Sequence, residues 1–116
     1  MRPESLAMLR VLLEHHRHNV YREDGTIPSW TQCRITYSNL CEQAGVPQLT
    51  RNPGVFLAEV ASWCIARGLP PINALAVNDE TDMPGDNYDL ADGCSLLTWP
   101  AERDAAIRCR EYPPTI

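Results

Sequence analysis

Residues 36–57 read TYSNLCEQAGVPQLTRNPGVFL, and the punctuation of this stretch decides the fold. Thr36 or Ser38 offers a side-chain oxygen to the free N–H groups that open a helix, and Gly45 with Pro47 soon after ends that helix near Ala44. Asn52 then caps a second helix with Pro53 at its first position, where the missing proline N–H costs nothing. Beyond it Phe56, Val60, Trp63 and Cys64 recur at helical spacing, and Gly68 stops the run. The pair predicts a helix-turn-helix over residues 36–67.

Working outward, Leu6, Leu9, Leu12 and Leu13 share one face behind Pro3, so the spacing predicts an amphipathic helix over 3–18. It closes on His15, His16, Arg17, His18 and Asn19, cations and a capping residue that suit a helix C-terminus. Residues 19–34, with Asp24-Gly25 and Ile27-Pro28, read as a loop or hairpin carrying Trp30, followed by the β-prone Ile35-Thr36-Tyr37. Ile72 to Val77 is an apolar run of strand length, and the acidic stretch after it reads as a turn or wing, giving a strand-and-wing segment over 72–92. Trp99-Pro100 opens a last helix over 100–110. The expected fold is therefore one domain, residues 1–116, mainly α with a small β wing: a winged helix-turn-helix.

Composition agrees with a folded chain, since 44% of residues are hydrophobic and 22% charged. No apolar run reaches the roughly 20 residues that span a bilayer, and the charge-interrupted N-terminus lacks a signal-peptide core, so a soluble cytoplasmic protein with no membrane partner is expected. Cys33, Cys41, Cys64, Cys94 and Cys109 are odd in number and contain no C-x-x-C, which favours buried free thiols over a disulfide framework or zinc clamp. His15 and His18 stand three apart, too few donors for a metal, and no cofactor is expected.

The net charge is −5, carried by one segment. Asp79, Glu80, Asp82, Asp86, Asp89 and Asp92 fall together without a base, and the remaining acids nearly balance the ten arginines. A solvated loop is the plainest reading of such a cluster. Its order lacks the D-x-[DN]-x-[DN]-G pattern of a calcium loop, which leaves a phosphate-mimicking protein-docking surface as the sharper reading.

Residues 36–57 also resemble, without a gap, the DNA-binding segment of the alkylguanine-DNA alkyltransferase and alkyltransferase-like family. The resemblance is carried by Thr36-Tyr37-Ser38-Asn39-Leu40, Ala44-Gly45-Val46-Pro47, Arg51-Asn52-Pro53-Gly54 and Leu57. It implies a winged-helix domain in which Tyr37 helps rotate a nucleotide out of the duplex and Arg51 fills the vacated stack, a role a planar guanidinium suits. The family's methyl acceptor is the Cys of a Pro-Cys-His-Arg motif on the strand after the second helix. Here that region is Pro70-Pro71-Ile72-Asn73-Ala74-Leu75-Ala76-Val77-Asn78, with neither Cys nor His, so alkyl transfer lacks its nucleophile and a non-enzymatic protein is expected.

Two readings of function follow. One is an alkyltransferase-like module that contacts nucleic acid through Tyr37, Arg51 and Asn52, with Arg10, Arg17, Arg34, Arg51 and Arg67 as candidates for a shared basic face. The other is a small acidic phage or mobile-element protein, anti-defence or anti-CRISPR-like, that inhibits a host nucleic-acid machine. It would bind a basic nucleic-acid-binding protein through Asp79, Glu80, Asp82 and Asp86.

Overall fold

The N-terminal leucines do form a helical face. In the computed structural model, which describes residues 1–116, α1 spans Pro3–His15 and buries Met8, Leu9, Leu12 and Leu13, with Leu6 half-buried beside them. The helix then widens into a π-helical turn over His16–Val20 rather than continuing as α to residue 18. His16 explains the local demand. It is 3% exposed and donates from Nε2 to the Ala106 carbonyl at 2.9 Å, tying the end of α1 to the C-terminal helix, and burial pushes its pKa below the ordinary value.

Residues 19–34 are not loop throughout. Trp30–Cys33 form one helical turn, α2, whose Trp30 packs edge-on against Trp99 at 5.9 Å. Ile35–Thr36 form β1, and α3 follows at Tyr37–Gln43 with Thr36 Oγ1 accepting from the Asn39 N–H, as its capping role requires. Gly45 (φ +77°) ends α3. Its N–H reaches the Glu42 carbonyl while the Val46 N–H reaches Cys41, the paired bonds of a left-handed helix stop. Gly68 (φ +71°) closes α4, Gly54–Ala66, with the same two bonds, from Gly68 to Ile65 and from Leu69 to Cys64.

The connection between α3 and α4 is longer than a tight turn and contains a 3₁₀ turn at Pro47–Leu49. Helix α4 also begins later than its sequence suggests. Pro53 stands at the N-cap with no side-chain cap, because the Asn52 amide oxygen is drawn aside to accept from Asn87 Nδ2 at 3.3 Å.

The segment after α4 differs most from expectation. Ile72–Leu75 is a 3₁₀ turn, and only Ala76–Val77 is strand, β2, which pairs parallel with β1 in the register Ile35 to Ala76 and Thr36 to Val77. Residues 78–92 contribute no strand. Asn78 folds back on Glu80 through its side chain, Asp82 sits at φ +59°, and Pro84 precedes a 3₁₀ helix over Asp86–Leu90, all geometries that leave a sheet ladder. What was expected as a β wing is a folded loop. Helix α5, Trp99–Arg108, is the last element, and residues 109–116 follow it without helix or strand.

The fold is mainly helical around a small parallel sheet, with no helix long and apolar enough to cross a membrane. Helix α1 packs on α4 over the main core, which includes Leu12, Leu40, Val60 and Leu75. A smaller cluster of Ala61, Ala74, Val77, Tyr88 and Trp99 lies beneath the acidic loop. Four cysteines are buried free thiols and Cys109 is half-buried; burial pushes Cys64 and Cys94 up to about 11.

Candidate functional site

The start of α4 and the loop that follows β2 enclose a pocket of about 410 Å³. Tyr37, Arg51 and Asn52, separated in sequence by the whole of α3 and its exit turn, all line it, together with Asn73, Asp86 and Tyr88. Tyr37 arrives on the first residue of α3, which Thr36 fixes. Arg51 and Asn52 arrive just ahead of α4, and the pocket floor comes from the 3₁₀ turn before β2.

Each side chain has a distinct condition. Tyr37 is only 7% exposed, and its hydroxyl accepts the Gly85 N–H at 2.8 Å, so it holds the loop over the pocket; burial raises its pKa. Arg51 is exposed and forms neither an ion pair nor a hydrogen bond within the chain. The Gly54, Val55 and Phe56 N–H groups have no acceptor, the ordinary condition of an uncapped helix start, where the peptide dipoles favour negative charge. Asn73 is 2% exposed, its amide lies beside the Cys94 thiol, and its Oδ1 has no hydrogen-bond partner.

The acidic residues divide into two groups. Asp79 accepts from the Ser38 N–H at 3.2 Å and from the Ser38 hydroxyl, placing a carboxylate at the start of α3 where the helix dipole favours it. Asp82 accepts from Trp30 Nε1 at 3.0 Å and from Arg34 at 2.8 Å. These two carboxylates staple the loop, Asp79 to the first turn of α3 and Asp82 to the segment before it. Glu80, Asp86, Asp89 and Asp92 are exposed and take part in no ion pair, and Asp86 stands in the pocket wall.

Of the five arginines named as a possible basic face, Arg51 alone lines the pocket. Arg34 is spent on Asp82, Arg67 lies over the Trp63 ring at 4.2 Å, and Arg10 and Arg17 border a groove against the C-terminal tail that does not include Arg51. Side chains as long as arginine's reach whichever partner tertiary packing supplies, and sequence spacing does not report that partner. No group of three His, Cys, Asp or Glu side chains converges on a metal-sized site. His15 is instead occupied by the Cys33 carbonyl at 2.7 Å and the Asn19 amide at 3.2 Å.

Sequence reading missed Asn73, Gly54, Asn87 and Tyr88 as site residues. Gly54 stands in the motif that carries the resemblance but was given no role, and Asn73, Asn87 and Tyr88 carry no motif signal and enter only because the loop folds back on α4. That fold-back is testable at Tyr37. Tyr37→Phe keeps the ring but removes the acceptor for a part-buried N–H, and is expected to cost about 1 kcal/mol, read from the urea midpoint. An unchanged midpoint would mean that the Gly85 bond does not hold the loop.

Compared with family models, with curated proteins and with solved structures, the chain matches none of them.

Proposed function

We propose that this protein is a non-enzymatic binding module of the alkyltransferase-like, helix-turn-helix kind, with a folded loop where that family has its wing, that contacts nucleic acid in the cytoplasm. Tyr37, Arg51 and Asn52 form its contact region. One observation carries the reading: these residues meet at a single pocket beside an uncapped helix start, with Arg51 unpaired at its edge. A free guanidinium and three free N–H groups suit phosphate, and the same guanidinium can stack on a base.

Arg51→Ala tests it. Fluorescence anisotropy of unphosphorylated single-stranded and duplex DNA at low salt is expected to show about tenfold weaker binding, roughly 1.4 kcal/mol, with a shallower salt slope. Equal binding by the two proteins, or no binding by the native one, would sink the proposal.

A second reading is favoured by the four exposed, unpaired acids of the loop, with Leu90 54% exposed among them. A basic nucleic-acid-binding protein would be its partner, and the protein an inhibitor of phage or mobile-element origin. Asp79 and Asp82 would serve that role by fixing the loop, while Glu80, Asp86, Asp89 and Asp92 met the partner.

A further inference from the structure

We infer that the pocket between the start of α4 and the Asp86–Leu90 helix holds one terminal phosphomonoester of a nucleotide, from a free nucleoside monophosphate or the 5′-phosphorylated end of a strand. The inference deepens the nucleic-acid reading and rests on it for the strand-end source only. Its anion-binding half is the α4 start: Gly54, in the lining, has an N–H with no acceptor, as do Val55 and Phe56 in the same first turn, and Arg51 lines the pocket beside them without a counter-ion. A monoester at a strand end carries more charge and more free oxygens than an internal diester, so a multi-donor site favours it.

A bare phosphate does not account for the rest of the pocket. About 410 Å³ lies in the range of small-molecule sites. Asn73 supplies an independent reason to expect more ligand. Its Oδ1 is buried and unpartnered in the lining, and an orphaned buried acceptor is costly unless a donor arrives. The exocyclic amino group of a base is such a donor, and the amides of Asn52, Asn78 and Asn87 surround the same space. Asp86 works against the phosphate, because its exposed carboxylate shares the lining.

That opposition gives the test its sign. Calorimetric and NMR titrations would compare AMP, adenosine, inorganic phosphate, and one oligonucleotide bearing either a 5′-phosphate or a 5′-hydroxyl. AMP is expected to bind tighter than about 1 mM, with adenosine and phosphate each about tenfold weaker, and with the Gly54, Val55 and Phe56 amide resonances shifting most. Arg51→Ala should weaken AMP about tenfold, whereas Asp86→Asn should tighten it several-fold. Asn73→Ala should bring AMP down toward phosphate. Because Asn73 is a core residue and its variant is the one at risk of misfolding, the exposed Arg51 and Asp86 substitutions decide the matter without it.

A 5′-phosphate advantage over 5′-hydroxyl assigns the strand-end source, and AMP binding without that advantage assigns the free nucleotide; both support the site. Absence of AMP and 5′-phosphate binding overturns it, as does AMP binding indifferent to Arg51→Ala and Asp86→Asn. Unphosphorylated DNA binding separates the two proposals: its survival with no phosphate preference leaves the nucleic-acid reading standing and this inference lost, and AMP binding without it does the reverse.

Discussion

Asp82→Ala is expected to destabilise the fold by about 2–3 kcal/mol, measured by chemical denaturation. Three losses combine. The Trp30 indole N–H loses its acceptor, and the Arg34 guanidinium loses the only one it has, with its Nε already buried and unpartnered. The third is conformational, since Asp82 sits at φ +59°, a region that Asp and Asn enter more cheaply than Ala. The side chains of Arg34 and Asp82 are 29% and 47% exposed, so solvent screens their attraction and keeps the total below that of a fully buried pair. Asp82→Asn keeps the backbone preference and one acceptor, and should cost about 1 kcal/mol. If Ala and Asn were equally mild, the carboxylate would be an ordinary surface charge and the loop would owe its position to something else.

Gly54→Ala sets two known effects against each other. In an open helix alanine would gain about 1 kcal/mol over glycine. Here a Cβ at residue 54 would fall 2.4 Å from Asn87 Cβ, an atom fixed to the backbone of the opposing loop, so the loop itself must move. Overpacking of this sort costs about 1–3 kcal/mol, and the expected balance is a loss of about 1–2 kcal/mol with a displaced Asp86–Leu90 helix. The same displacement should abolish binding in the pocket. Asn87→Gly removes the obstacle, and in that background Gly54→Ala should become neutral or stabilising; if it stays equally harmful, contact with Asn87 is not its cause.

What could be read from sequence was what local chemistry settles. Thr36, Gly45 and Gly68 bound their helices through groups within a few residues, so their roles were visible in the string. The four residues of α2 were invisible, because a single turn without a periodic face is held by tertiary contacts, here Trp30 against Trp99. Asn52 was misread as a cap for a related reason. Its amide is recruited by Asn87, a partner from a different part of the chain. The acidic run was legible as charge but not as use: nothing in its order distinguishes Asp79 and Asp82, which bind the first turn of α3 and the segment before it, from Asp86, which lines the pocket. Pairing of β1 with β2 was equally hidden, since two-residue strands carry no alternation.

That short parallel ladder has a kinetic consequence. Joining Ile35 to Ala76 closes a ring of chain that contains both α3 and α4, and the entropy of ring closure comes due before its few hydrogen bonds return anything. The helices are therefore expected to dock first and the ladder to zip late, drawing the Asp79 and Asp82 staples and the roof of the pocket into place behind it. By the same ordering, amides of residues 78–90 should exchange with solvent well ahead of those in α1 and α4. The binding site is the part of the molecule that completes last and opens first, so a ligand seated there would slow the earliest step of unfolding.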